Sequence, residues 1–219
     1  MKLSENTLAV LKNFASINSG VVLKKGNTQK TISPEKSILV EATLEDNLNT
    51  DFGIYDLNEF LGAMSLFEDP GLDFSDKYVT IKQGNSSIKY FAAEASVLTA
   101  PQKAITFPDT DIEFNLTANM LEMIRKTAGV LRASDVAIVG DGSTITAVVG
   151  DKKNATGNSF QETLGSTDKQ FKVYLKVDNL KMVPGDYTVS ISSKKISRFK
   201  GAGDLVYYVA VEADSVFSN

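Results

Sequence analysis

Cysteine, histidine and tryptophan are absent from this chain of 219 residues. Without cysteine there is no disulfide, no thiol nucleophile and no zinc–thiolate site. Without histidine the chain lacks the commonest general base and the commonest metal ligand. Carboxylate, lysine or serine chemistry stays open, but no Ser or Lys sits in a recognisable nucleophile motif. These absences count against catalysis, and the expectation is a protein that is not an enzyme and uses neither metal nor cofactor, with an enzyme using the carboxylates of Glu41–Asp76 as an alternative that no spacing supports. No apolar run approaches the ~18 residues that span a bilayer. Met1-Lys2-Leu3-Ser4-Glu5 turns polar at once and has no signal-peptide hydrophobic region, so a cytosolic protein without a membrane partner is expected. One absence is local. Residues 41–76 contain no Lys or Arg, while acids run through them from Glu41 to Asp76. The net charge is −4, so bulk charge gives no nucleic-acid signal. An acidic protein with its basic residues on one surface repels DNA elsewhere and accepts it at one place. A solvated surface with uneven charge is the plainer alternative.

What is present is a repeat. Leu3-Ser4-Glu5-Asn6-Thr7-Leu8-Ala9-Val10-Leu11-Lys12 aligns with Leu116-Thr117-Ala118-Asn119-Met120-Leu121-Glu122-Met123-Ile124-Arg125. Both read Leu, Ser/Thr, any, Asn, any, Leu, any, apolar, Leu/Ile, basic. Tyr90-Phe91-Ala92-Ala93-Glu94-Ala95 and Tyr208-Val209-Ala210-Val211-Glu212-Ala213 are a second matched pair. The length allows one or two domains, and the duplication decides for two: residues 1–96 and 112–219, joined by a connector at 97–111. The hydrophobic share of 42% and the charged share of 23% are ordinary for globular domains of that size.

Ser4 caps a helix with Leu8, Leu11, Phe14, Ala15 and Ile17 at core spacings. Strands are expected at Val21–Lys24, Lys30–Ile32, Ile38–Leu44 and Phe52–Tyr55, with a turn at Gly26-Asn27. Asp56 caps a second helix through Leu66, and Tyr78–Lys82 and Ile88–Ala93 form a hairpin around Gly84-Asn85. In the second half, Thr117 caps a helix to about Arg132. Strands are expected at Ile112–Leu116, Val136–Val139, Thr144–Val149, Phe160–Leu164, Phe171–Val177, Tyr187–Ser192, Ile196–Lys200 and Val206–Ala213. Asp178 caps a short helix through Leu180 and Met182, stopped by Pro184-Gly185. Short connections make the sheets antiparallel, so the class is α+β with helices covering one face of antiparallel sheets.

Several motifs carry no chemistry. Gly140-x-Gly142 is a hairpin turn, since no third Gly follows and no helix opens there. Asp151–Gly157 has the wrong spacing for a calcium loop. Asn154-Ala155-Thr156 is a chance glycosylation sequon. The connector, with Pro101 and Pro108, is more apolar than a solvated tether, through Val97, Leu98, Ile105 and Phe107. It reads as a strap packed on the protein, with a groove for partner peptides as the functional alternative. The basic helices remain. Lys12 and Arg125 occupy matched positions, Arg132 follows Arg125 by seven residues on one helix face, and Lys126 lies beside them. Leu8, Leu11, Leu121, Ile124, Ala128 and Leu131 take the opposite faces. Either these are solvated amphipathic helices, or they hold phosphates without reading bases.

Four blocks in order resemble one family over the full chain. They are Leu3–Gly20, Ile54-Tyr55-Asp56-Leu57-Asn58-Glu59-Phe60-Leu61-Gly62, Met182-x-Pro184-Gly185-x-Tyr187 and Tyr208-Val209-Ala210-Val211-Glu212-Ala213-Asp214-Ser215. They look like the sliding clamps of T-even-type bacteriophages, whose superfamily includes proliferating-cell nuclear antigen and the bacterial beta clamp. The resemblance implies a DNA polymerase processivity factor with a duplicated clamp fold, sheets outside and helices lining a ring. It implies a homotrimer around double-stranded DNA in the cytoplasm of an infected bacterial host, opened by an ATP-driven clamp loader. It further implies a docking site for the polymerase C-terminal peptide and contact with late-transcription factors. Carried over residue by residue, it makes Lys12, Arg125, Lys126, Arg132, Lys181 and Lys2 DNA-facing. It places the peptide groove at Leu98, Pro101, Ile105, Phe107 and Pro108. An edge pairing of Ile88, Tyr90 and Phe91 with Phe160 and Leu164 of the next subunit is expected to close the ring. The chain departs from the family in lacking Trp, in its trimmed loops and in a second helix that carries Glu59 but no basic residue. A structural phage ring protein without DNA sliding is the alternative reading.

Overall fold

The computed structural model describes residues 1–154 and 156–217. Ala155, inside the Asn154-Ala155-Thr156 sequon, and Ser218 and Asn219, at the end of the expected C-terminal domain, lie outside the described residues. The chain divides into two compact units, Met1–Ala104 and a second starting at Ile105, so the division falls within residues 97–111.

In the first unit, helix α1 (Glu5–Ile17) starts where Ser4 accepts a hydrogen bond from the Thr7 amide at 3.1 Å. The Ser4 amide in turn donates to the Asp46 carboxylate at 2.7 Å. Two donors that a helix start leaves unpaired are thus satisfied. Val10, Leu11, Phe14 and Ile17 form its buried face. Strands β1 (Val21–Leu23), β2 (Gly26–Ile32), β3 (Ile38–Leu48) and β4 (Phe52–Ile54) follow, with β1 antiparallel to β4 and β2 antiparallel to β3. Gly26 and Asn27, expected as a turn, are instead the irregular start of β2, where the register shifts before Thr28. Helix α2 (Leu57–Ser65) is capped by Asp56, whose carboxylate accepts from the Asn58 and Glu59 amides. An antiparallel meander closes the unit: β5 (Gly71–Phe74), β6 (Tyr78–Gln83) and β7 (Ser86–Phe91).

The second unit opens with β8 (Ile112–Leu116) and helix α3 (Ala118–Leu131). Thr117 caps α3 as Ser4 caps α1, accepting from the Met120 amide at 3.3 Å. The aligned Ser and Thr of the repeat are therefore the same structural element twice. Next come β9 (Asp135–Asp141), β10 (Thr144–Gly150), β11 (Ser159–Ser166) and β12 (Gln170–Lys176). They are followed by β13 (Tyr187–Ser192), β14 (Ile196–Lys200), β15 (Val206–Ala210) and β16 (Val216–Phe217). One antiparallel sheet of this unit runs β15-β14-β13-β8, the other β11-β10-β9-β12-β16. The core beneath α3 is apolar, with Leu121, Ile124, Val136, Ile138, Leu175 and Phe199 all buried.

The expected helix from Asp178 to Met182 does not form. The chain makes a single 3-10 turn at Val177–Asn179. Pro184 disfavours helical backbone at Val183, and Val, Asp and Asn are weak helix formers in so short a segment. Instead the segment is pinned by tyrosines. The Val183 amide donates to the Tyr207 hydroxyl at 3.1 Å, and the Tyr187 hydroxyl donates to the Val183 carbonyl at 2.5 Å. Burial pushes the Tyr207 hydroxyl up to about 12, so it stays protonated.

A buried acid ties the start of β9 to the end of β12. The Asp135 side chain is 3% exposed, and Lys176 Nζ lies 2.8 Å from its Oδ1. Ser134 Oγ donates to Oδ2 at 2.6 Å, and Lys152 Nζ stands at 3.6 Å. Burial alone would push this carboxyl up. The hydrogen bonds from Lys176 and Ser134 and the charge of Lys152 outweigh it and hold it below the usual carboxylate range. A folded value below the unfolded one stabilises the fold above the unfolded value of ~4, and that stability is lost as pH falls through the folded value. Asp135→Asn should therefore lower stability by roughly 1–2 kcal/mol near neutrality, the loss being moderated because both lysines keep some solvent. In urea unfolding, the gap between this variant and the parent should close as the pH is lowered below ~4. A gap that stays constant into acid would show that Asp135 stabilises by packing alone.

Candidate nucleic-acid interface

Helix α3 buries Leu121, Ile124 and Ala128 and turns Arg125 and Lys126 to solvent. The Arg125 guanidinium reaches the Met182 carbonyl at 3.4 Å, beside the tyrosine-pinned segment. Lys126 Nζ stands 2.6 Å from Glu122 Oε1, one turn earlier, and this ion pair lowers the Glu122 carboxyl. A surface depression of about 510 Å³ is lined by Asn119, Glu122, Arg125, Lys126 and Pro184, among others. On α1, Lys12 is exposed on the side away from Leu11 and Phe14, as Arg125 is on α3. The matched positions of the repeat thus give one exposed basic residue on each helix.

Arg132 is not on the helix face it was expected to share with Arg125. Helix α3 ends at Leu131, and Arg132 adopts the left-handed conformation, φ 54° and ψ 36°. The Ala133 amide donates to the Ala128 carbonyl at 2.9 Å and the Arg132 amide to the Gly129 carbonyl at 3.4 Å. This is the Schellman ending, in which the left-handed position usually falls to glycine. Arginine holds it at a cost of about 1 kcal/mol, and its exposed side chain leaves the helical register there. Lys181 follows the 3-10 turn and not a helix, and it is half-buried. Lys2 is ion-paired with Asp69, a partner in the acidic stretch that no local pattern announces.

The connector residues are engaged by the unit each belongs to. The Ala93 amide donates to the Gly53 carbonyl at 2.9 Å, and Asn18 Nδ2 donates to the Thr99 carbonyl at 2.9 Å. Between these anchors Leu98 lies over two glycines. A Cβ at Gly20 or Gly53 would come within 3.0 Å or 3.2 Å of its methyls. Pro101, Ile105 and Pro108 are half-buried. Phe107 stacks on the Arg198 guanidinium, 4.6 Å from the ring centre, and lies near Tyr208. Arg198 also donates to Ser190 Oγ, which bonds Glu113. The sequence did not single out Arg198, Ser190 and Glu113, because three strands must pair before they form one row.

The proposed subunit-contact residues divide. β7 and β11 each lie at an edge of their sheets. Phe91 is 68% exposed and Phe160 is half-buried. Ile88 is half-buried. Tyr90 instead faces inward, packing edge-on against Phe60, with its hydroxyl donating to the Asp56 carbonyl at 2.9 Å. Leu164 is buried beside Leu121 and Leu175. The sequence also missed an apolar stripe on α3, where Met123 and Val130 are 48% and 80% exposed. Leu66, just past α2, is 74% exposed.

A family model described as DNA polymerase processivity factor matches residues 2–105, and one described as gp45 sliding clamp, C terminal, matches residues 113–213. The sliding clamp of Vibrio phage KVP40 is 35% identical over 221 residues, covering 97% of this chain and 100% of the relative. The sliding clamp of Enterobacteria phage T4 is 34% identical over 224 residues, covering 98% of each. Among solved structures, proliferating cellular nuclear antigen from Entamoeba histolytica superposes with a TM-score of 0.70 at 14% identity, over 96% of this chain and 97% of that one. The beta subunit of DNA polymerase III from Borrelia burgdorferi gives 0.72 at 10% identity, over 98% of this chain and 64% of that one. The antigen from A. fulgidus, bound to the C-terminal region of FEN-1, gives 0.70 at 15% identity, over 99% and 100%. The fold is thus the duplicated α+β clamp fold, and by two family models and near full-length identity the chain belongs to the sliding clamps, the DNA polymerase processivity factors of bacteriophages.

Proposed function

We propose that three copies of this chain close head to tail into a ring around duplex DNA, with α1 and α3 facing the phosphates. The observation that carries this reading is the pair of capped helices, built from one repeat, that present Lys12 and Arg125 at the same position. Contacts of this kind are electrostatic and sequence-independent. They hold DNA loosely while ring closure prevents escape. Lys126, Arg132, Lys181 and Lys2 are likewise assigned as DNA-facing, without sharing one helix face. No step of this mechanism needs a catalytic residue, so the chain is read as a non-enzyme without cofactor.

The connector at 97–111 is assigned as the docking place of a polymerase C-terminal peptide, along Leu98, Pro101, Ile105, Phe107 and Pro108. The A. fulgidus clamp bound to the C-terminal region of FEN-1 supports tail docking on this fold. An ATP-driven clamp loader and late-transcription factors complete the partners, in the cytoplasm of the infected bacterial host. The ring contact is assigned to the β7 edge with Ile88 and Phe91, meeting the β11 edge with Phe160. The exposed stripe at Met123 and Val130 on α3 is assigned to the same contact. Such a heterologous contact closes when three rotations complete a circle.

The test is native mass across a dilution series together with retention on DNA. The expected result is three subunits at high concentration, held on circular DNA and lost from linear DNA. Val130→Asp, placing a charge in the stripe, should shift the mass to one subunit without altering the circular dichroism of the fold. A monomer at all concentrations, or equal loss from both DNAs, would reject the ring.

A further inference from the structure

The exposed face of α3 carries an acid among its basic residues. Glu122 lies one turn before both Arg125 and Lys126, with its Oε1 2.6 Å from Lys126 Nζ. Both side chains are well exposed, at 60% and 70%, so the pair does little for stability. Elsewhere on the protein it would be an ordinary solvated helix pair. Here it lines the depression that also holds Arg125. A phosphate approaching Lys126 must displace the Glu122 carboxylate or lie against it. The other copy of the repeat has no such pair, because the aligned positions on α1 are Ala9 and Asn13. The acid and the base are therefore present together on α3 and absent together on α1.

We propose that Glu122 is a built-in competitor for DNA phosphate. It holds Lys126 in an intramolecular ion pair and repels phosphate from Arg125, so the grip of α3 stays weak and exchangeable. The inference rests on the ring reading above. Its physical logic is that sliding requires each phosphate contact to break easily. An internal carboxylate offers the lysine an alternative partner at every step.

The experiment uses the full chain and its Glu122→Gln, Lys126→Gln and doubly substituted variants. Asp168→Asn, in the exposed turn between β11 and β12, removes the same charge far from α3 in sequence. Binding to a fluorescently labelled circular duplex is measured from ~25 to ~200 mM salt. Glu122→Gln should bind about three- to tenfold more tightly at the lowest salt and converge with the parent as salt rises. The slope of log affinity against log salt should steepen by about 0.9 for each Lys126 released to a phosphate. In the Lys126→Gln background that steepening should vanish, and Asp168→Asn should leave the slope unchanged. Equal slopes and affinities for Glu122→Gln and the parent, or the same gain from Asp168→Asn, would overturn the proposal. A parent that shows no salt-dependent duplex binding and no retention on circles would instead overturn the ring reading, and this inference with it.

Discussion

Replacing Arg125 and Arg132 together by alanine is expected to release the protein from circular DNA at salt concentrations where the parent is retained. Each cation that meets a phosphate contributes about 0.9 to the slope of log affinity against log salt, so two lost contacts lower it by about 1.8 per subunit engaged. In the proposed ring, repetition of the chain would multiply that loss. The fold should survive, because both side chains are exposed and, among the described residues, Arg125 makes a single long bond, to the Met182 carbonyl. Arg132→Gly separates charge from backbone. Glycine relieves the left-handed position and should stabilise the domain by about 1 kcal/mol, while still weakening DNA retention. Retention equal to the parent for the double variant at every salt concentration would remove both residues from the DNA-facing set. A fall in melting temperature for Arg132→Gly would show that its side chain stabilises the helix end.

Gly53→Ala should strongly destabilise the first unit. The new methyl would stand 2.2 Å from the Ala93 carbonyl oxygen and 3.2 Å from a Leu98 methyl. The carbonyl is backbone, held in place by the neighbouring Ala93 amide bonded to Gly53 itself. No rotamer change relieves the clash, so the strap at 93–99 must lift from β4. Overpacking of this kind costs about 3 kcal/mol. For a unit of about 100 residues that is a fall of ~12 °C or more in melting temperature. With Leu98 displaced, the proposed docking of a polymerase C-terminal peptide should weaken as well. Leu98→Ala, which removes the side chain without moving the strap, should weaken peptide binding with a smaller loss of stability. Thermal unfolding and peptide titration of the two variants check both effects. Unchanged melting of Gly53→Ala would mean that the close approach of the strap is not a fixed part of the fold.

Much of the secondary structure was readable because its signals are local. Ser4, Asp56 and Thr117 each cap the helix that follows, and a cap needs only its own next three residues. β13 and β14 run over the residues their alternation marks, Tyr187–Ser192 and Ile196–Lys200. The failures share a cause. The Asp178 cap signal was real but led into Pro184, and two distant tyrosine hydroxyls hold the segment instead. Arg132 kept its place in a seven-residue spacing that the helix does not reach. β5 and β16, of four and two residues, were too short to show a period.

The candidate site divides in the same way. The duplication, the helix starts and the matched Lys12 and Arg125 follow from the sequence alone, because spacing along a helix fixes which residues share a face. Which charges remain available was decided by tertiary structure. Lys2 is paired with Asp69, 67 residues away, and Arg125 leans on Met182, 57 residues away. Leu98 is held by glycines on other elements, and Phe107 by Arg198. Tyr90 and Leu164, which sit on edge strands, turn inward. A one-dimensional pattern records the period of a helix or strand. It does not record the partners that folding brings from far along the chain, and those partners set the free charge and open surface on which the proposed grip on DNA depends.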